Sequence, residues 1–263
     1  KNPVFIYLAK WLEKLAYRSS VKVIGLSPEM SKGVVSKGKV ATDVVTIPNS
    51  CDTDLFQIPK EIGEQYRREK LNFSSGTKLV VYTGTFGVVN NVSYLVHLAK
   101  ASYDKGYKLT FCAIGTGMER YKVEALAKDL GVLNVNLYLL EPIPKTEIVS
   151  VLSAADIALS LFGPIPEMWA NSANKVFDSL ASGTPIGINY LGWQFDLLKE
   201  RKMGVYLNPD HYGAAADELN KFLFDSIRYM EAVNQSSLLA GNEFSRDKLY
   251  IKFKETIIEA SKC

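Results

Sequence analysis

Residues 171 to 188 read NSANKVFDSLASGTPIGI, a helix pattern running into an apolar strand. Ala173, Val176, Phe177, Leu180 and Ala181 recur at three- and four-residue spacing and make one apolar stripe. Asn174, Lys175 and Asp178 share the opposite face. Asn171 or Ser172 is a natural N-cap, which puts Lys175 in the first turn beside amides that have no helical partner. Such amides and an ammonium together would hold a diphosphate. Asp178, a turn deeper, has acceptor capacity for two adjacent sugar hydroxyls. A phosphate end and a ribose end one turn apart describe a nucleotide. The plainer alternative is an i,i+3 ion pair between Lys175 and Asp178 on a solvated face, and the residue types alone leave both open.

Four loops carry further candidates. TGTFGVVNN follows a buried strand, and Gly84 and Gly87, with Thr85 between them, allow a phosphate close to the backbone or simply make a tight turn. IGTGMER, with Gly115, resembles part of a dinucleotide fingerprint, but Arg120 stands where the third glycine belongs, so that reading is set aside. In LEPIPKTE two prolines hold the backbone extended, so that groups around Pro142 and Ile143 could meet the edge of a base, or the loop is a rigid connector whose helix Thr146 caps. FGPIPEMWANSANK is long and aperiodic, a pattern common in functional loops. Its conspicuous side chains are Glu167, a possible acid, and Trp169, expected to pack and not to stack on a ligand.

These loops need elements to hold them. Apolar runs at 21–26, 44–48, 78–84, 108–115, 135–140, 156–162, 184–189 and 204–208 alternate with helical patterns near 28–37, 90–104, 117–130, 145–154, 173–182, 193–201 and 211–224. That alternation predicts an α/β fold, a Rossmann-like parallel sheet flanked by helices. In such a sheet ligands sit beyond the carboxyl ends of the strands, where all four loops fall. Two further helices are expected in the tail after 226. An amphipathic helix near 3–17, with Trp11 among its apolar residues, is expected to pack on a neighbour or, as the minority view, to lie on a membrane surface.

The chain has 263 residues, 47% hydrophobic, enough for one large or two small domains with a buried core. A net charge of +3, from 31 basic and 28 acidic residues, indicates no nucleic-acid surface. Cys51, Cys112 and Cys263 have no C-x-x-C spacing and only His97 and His211 could join them, so neither a disulfide framework nor a metal site is expected. No apolar run reaches the roughly 18 to 20 residues that span a bilayer, and the first residues lack a signal-peptide pattern. A cytoplasmic protein, soluble or peripheral to a membrane, is expected. Starting with Lys1 and not Met, the chain is expected to be a fragment.

Three segments together resemble the retaining glycosyltransferases of family 4, or group 1, of GT-B architecture. They are VIGLSPEMSKGVVSKGKVATDVVTIPNSCDTDLF, similar to that family's interdomain passage, then AIGTGMERYKVEALAKDLGVLNVNLYLLEPIPKTEIVSVLSAADIALSLF, and FDSLASGTPI. The resemblance covers essentially the whole chain. It implies the C-terminal, donor-binding half of a two-domain enzyme: residues 1–26 a remnant of the N-terminal acceptor domain, 27–77 the passage and domain entry, 78–225 the nucleotide-sugar-binding domain and 226–263 terminal helices. The implied reaction transfers a sugar from a nucleotide diphosphate donor, a UDP-sugar by the resemblance, to a glycan or lipid-linked acceptor, with retention, no obligatory metal and no cofactor.

The family's two acids stand eight residues apart. Asp178 matches the second, the ribose ligand, with Asp for the usual Glu; the first falls on Ala170, and Glu167 could replace it only if the loop bends differently. TGTFGVVNN lacks the Arg and Lys that many members use on the diphosphate. An asparagine or serine followed by lysine, here Asn174 and Lys175, is similar to a branch concerned with bacterial surface polysaccharides, and assigns the diphosphate charge to Lys175. Ser172, Gly84, Thr85, Gly87, Gly115, Pro142 and Ile143 complete the expected donor site, with Lys175 and Glu167 as its catalytic candidates. No pair of close carboxylates suited to a retaining hydrolase is evident. The alternatives are a non-catalytic nucleotide-sugar-binding or scaffold module and a sugar-nucleotide epimerase of the same architecture.

Overall fold

The computed structural model describes residues 2–262. Lys1 and Cys263 lie outside the described residues. The chain opens with α1 (Pro3–Ser19), β1 (Val23–Gly25), α2 (Pro28–Ser36), β2 (Val44–Thr46), α3 (Thr53–Phe56) and α4 (Lys60–Glu69). There follow β3 (Lys78–Thr83), α5 (Ser93–Asp104), β4 (Leu109–Ile114), α6 (Arg120–Asp129), β5 (Leu137–Leu140), α7 (Lys145–Ala154) and β6 (Ile157–Ser160). The chain continues with α8 (Asn174–Ala181), β7 (Ile186–Ile188), α9 (Trp193–Arg201), β8 (Gly204–Tyr206), α10 (Tyr212–Phe224), α11 (Ser226–Asn242) and α12 (Arg246–Ala260). Each expected strand is present, and the tail forms two helices.

The main sheet is parallel throughout, in the order β5-β4-β3-β6-β7-β8. Its strands are apolar on both faces because both are covered. Along β3, Val80 and Tyr82 join a core with Leu95, Leu98 and Val123, on the side of α5, α6 and α10. Leu79 and Val81 face the other way, toward Val151 and Ala154 of α7. On that side α7, α8 and α9 bury Leu152, Phe177, Leu180 and Trp193. The chain leaves β3 toward β4 and β5, then returns to β6 on β3's other side. The carboxyl ends of β3 and β6 are therefore the topological switch point, where connections diverge and open a crevice.

β1 and β2 form a separate two-stranded parallel sheet joined through α2, which Ser27 caps by accepting from the Met30 N–H. The final helix straps this unit to the main one. Lys252 of α12 donates to the Thr46 carbonyl at 2.9 Å, and Arg246 pairs with Asp52 at 2.8 Å. Cys51 and the start of α12 exchange backbone hydrogen bonds. No residue of α1 is buried, and Phe5, Trp11, Leu12 and Leu15 stay exposed.

Two elements have no counterpart in the sequence reading. α3 is a single turn, and α4, KEIGEQYRREK in context, has no apolar stripe to announce it. α4 instead buries Gly63 and Arg67. A Cβ at Gly63 would lie 2.5 to 2.6 Å from atoms of Ser153 and Ala154, so the glycine lets α4 lie against α7. Arg67 reaches Asp156 at 3.1 Å.

Candidate functional site

A cleft of about 640 Å³ opens at the switch point. The loop after β3 contributes Thr83, Gly84, Thr85 and Asn90, that after β4 Ile114 to Thr116, and that after β5 Pro142, Ile143 and Lys145. Asn171 to Lys175 and Asp178 close it from the β6 side, with Asn49 from the passage. Of the residues expected from sequence, Lys175, Asp178, Asn174, Ser172, Gly84, Thr85, Gly115, Pro142 and Ile143 all line this cleft. Gly87 and Glu167 do not. Glu167 is exposed in the turn Pro166–Met168, which the loop reaches without bending back toward the cleft.

The long loop is held at several points. Phe162 and Asn189 hydrogen-bond each other reciprocally at 2.9 and 3.1 Å. The indole of Trp169 donates to the Gly163 carbonyl and that of Trp193 to the Asn171 carbonyl. Trp169 thus packs, as expected.

The start of α8 differs from the expectation. Its N-cap is Ala173, with no side-chain cap, and neither Asn171 nor Ser172 fills that role. The Ser172 hydroxyl accepts the Asn49 backbone N–H instead, at 3.0 Å, and the Ser172 carbonyl accepts from the Asn49 side-chain amide. A residue 123 positions away has taken the cap. The Val176 N–H returns to the Ala173 carbonyl, so the amides of Asn174 and Lys175 are left at the cleft without a capping side chain. Thr146 likewise does not cap α7, because the helix begins one residue earlier, after Pro144.

Lys175 and Asp178 do not form the local ion pair. Lys175 runs across Gly84: a Cβ there would stand 3.1 Å from its Cε and 3.2 Å from its Nζ. The close approach that Gly84 permits, at a φ of +145°, is therefore used by the lysine. The ammonium lies 5.2 Å from the centre of the Tyr82 ring, and Tyr82 is fixed by donating to the Thr85 carbonyl at 2.8 Å. Among the described residues no carboxylate pairs with Lys175. Burial pushes its pKa down to about 8, with Asp178 opposing. A desolvated ammonium without a paired carboxylate, facing a polar cleft, is chemically suited to an anion.

Asp178 pairs instead with Lys145 at the start of α7, 3.7 Å away. Burial raises its pKa and the Lys145 charge opposes that rise. In the same cleft, Gly115 meets Gly84 so closely that a Cβ would fall 1.9 Å from the Gly84 carbonyl oxygen. Arg120 donates to the carbonyls of Gly115, Leu139 and Leu140, joining the ends of β4 and β5. That is a structural use of the arginine, in place of a third glycine. The cleft therefore offers cationic and N–H donors at the α8 end and a carboxylate with an ammonium a turn away.

Residues 64–237 match the family model described as glycosyl transferases group 1. The chain belongs to that family. Among curated relatives it is 24% identical over 189 residues to the D-inositol 3-phosphate glycosyltransferase of Corynebacterium urealyticum, covering 69% of this chain and 43% of that one. It is 20% identical over 239 residues to the 2-deoxystreptamine glucosyltransferase of Streptomyces kanamyceticus, covering 90% and 59%. The chain thus spans less than two thirds of the length of these relatives. The structure is similar to that of Anabaena Alr3699/HepE solved in complex with UDP and glucose, with a TM-score of 0.80, 15% identity, and 95% and 66% of the two chains covered. At that identity the likeness shows the fold, that of a GT-B glycosyltransferase domain.

Asn49, Thr83, Asn90, Thr116, Lys145, Ile148, Phe162, Asn171 and Ala173 line the cleft without having been singled out for it. Thr83 and Thr116 were accessible from the sequence, as neighbours of loop glycines already chosen. Asn49 and Lys145 were not, since their partners are far along the chain.

Two buried cysteines, Cys51 and Cys112, are free, and burial pushes both thiols up to about 12. Among the described residues no group of His, Cys, Asp or Glu is arranged to hold a metal, and no helix is long and apolar enough to cross a membrane.

Proposed function

We propose that this chain is the donor-binding portion of a retaining glycosyltransferase that takes a sugar from a nucleotide diphosphate sugar, with a UDP-sugar as first candidate, and passes it to a glycan or lipid-linked acceptor. The observation that carries the reading is the desolvated Lys175 ammonium, unpaired among the described residues and set beside the free first-turn amides of α8. As the glycosidic bond breaks, charge grows on the diphosphate, and fixed donors offset it without reorganisation. Asp178 accepts from the ribose, and the backbone near Pro142 and Ile143 meets the base. No metal is required by this scheme.

The acceptor is held by a further domain, in keeping with the greater length of the relatives, so this portion binds donor but does not turn over alone. On this reading residues 1–26 belong with the acceptor domain, 27–77 form the passage, 78–225 bind the donor and 226–263 pack across the junction. A cytoplasmic position fits, with α1's exposed apolar face toward that domain or the inner membrane surface, and surface-polysaccharide assembly is the setting that Asn174 and Lys175 favour. A second reading, a nucleotide-sugar-binding module without catalysis, is favoured by Ala170 at the expected acid position and by Glu167 lying outside the cleft.

Calorimetric titration with UDP, GDP, ADP and their glucose conjugates tests the binding half of the reading. At least one is expected to bind, and Asp178→Ala to weaken it by about tenfold, the value of one hydrogen-bonded charge. Binding by none of them would end the proposal. A turnover assay with the acceptor domain supplied separates the two readings: sugar transfer with retention supports the first, and binding without transfer the second.

A further inference from the structure

We propose that Lys145 works with Asp178 as a hydroxyl-reading pair that makes the cleft select nucleotides carrying the ribose diol over those that lack it, with Lys145 as the residue that positions the carboxylate. This inference rests on the nucleotide reading of the cleft.

The two side chains come from different helices, 33 positions apart in sequence, and both line the cleft. Lys145 Nζ stands 3.7 Å from Asp178 Oδ1. That gap is too long for a direct hydrogen bond, yet it suits a hydroxyl placed against both groups, donating to the carboxylate and accepting from the ammonium. Asp178 needs such a partner. It carries the shorter of the two acidic side chains and is only 21% exposed, and burial works against its charged form. Among the described residues, Lys145 is the one cation that forms an ion pair with its carboxylate. A carboxyl that took up a proton would lose part of the acceptor capacity a diol needs. Lys145 is itself placed, with its ammonium 5.4 Å from the centre of the Phe56 ring, at the start of a helix whose preceding prolines fix the loop. Lys175 and Lys145 thereby divide the work: the first faces the α8 turn and Tyr82, the second faces Asp178.

Lys145 could instead serve the diphosphate, and the two roles separate cleanly. The experiment measures dissociation constants of UDP and 2′,3′-dideoxy-UDP for the chain, for Lys145→Met and for Lys145→Arg. The chain is expected to prefer UDP by about tenfold or more, since a site built on a charged acceptor rejects a ligand lacking the hydroxyl. Lys145→Met is expected to reduce that preference to about threefold or less by weakening UDP alone, while Lys145→Arg keeps most of it. Equal weakening of both nucleotides, or an unchanged preference in Lys145→Met, overturns the inference while leaving the donor-site reading in place. Failure of the unmodified chain to bind UDP, GDP or ADP overturns the donor-site reading and this inference together. Lys145 is 59% exposed, so its replacement is expected to leave the fold intact.

Discussion

The state of Lys175 is set by burial on one side and a charge on the other. Its pKa, about 8, lies below the ordinary lysine value of 10.5. Between those values the unfolded chain binds more protons than the folded one, so the unliganded protein should gain stability as pH rises through that window. Urea unfolding across this range should show the gain, and Lys175→Met should lack it. A difference between the two proteins that is flat with pH would contradict the desolvated ammonium. An anion favours the charged lysine, so nucleotide affinity should fall as pH rises above about 8. Glu167, exposed and outside the cleft, is expected to be neutral to binding: Glu167→Gln should change nucleotide affinity by less than about twofold. A larger loss would mean that the loop closes over the ligand. At this scale the helix face that brings Lys175 and Asp178 to the cleft was legible, because a helix face is local. It did not carry their partners. Asp178's lysine arrives from another helix and Ser172's asparagine from 123 positions away, and neither pairing leaves a mark in local spacing.

The elements were legible where burial is two-sided or periodic. β3 and β4 read as apolar runs because alternate residues enter opposite cores, and α8 was legible because its buried residues form one stripe. α4 escaped because it is anchored by a glycine and a paired arginine, neither of which registers as hydrophobic. The α8 cap differs from the expectation for a related reason: a serine before a helix is a cap only if no other donor claims it. The meeting of the loops after β3 and β4 yields a prediction at this scale. Gly115 has a φ of +146° and a Cβ there would strike the Gly84 carbonyl, so Gly115→Ala should cost about 2 kcal/mol or more and disturb the cleft. Gly87, at a φ of −102° with Asn90 Oδ1 3.1 Å from its notional Cβ, should tolerate alanine at a cost below about 1 kcal/mol. Thermal unfolding of the two variants checks the contrast. Similar losses would mean that the loop junction is less crowded than described.

Across the whole molecule, the strand order decides where a ligand can sit. Reversal of the winding order between β3 and β6 opens the crevice, and four strand-to-helix loops deliver their residues to it. The alternation of strands and helices made that architecture readable from sequence, and the family match over residues 64–237 agrees with it. What α1 meets was not readable, because an amphipathic helix states that it has a partner and not which one. The cleft is proposed to bind a nucleotide diphosphate through Lys175. Thermal unfolding of the chain and of Lys175→Met, each with and without UDP at about 100 times the dissociation constant found for the chain, tests it most directly. The chain should gain roughly 2.7 kcal/mol with ligand, and Lys175→Met should lose most of that gain while unfolding normally without it. An equal gain in both proteins would contradict the account.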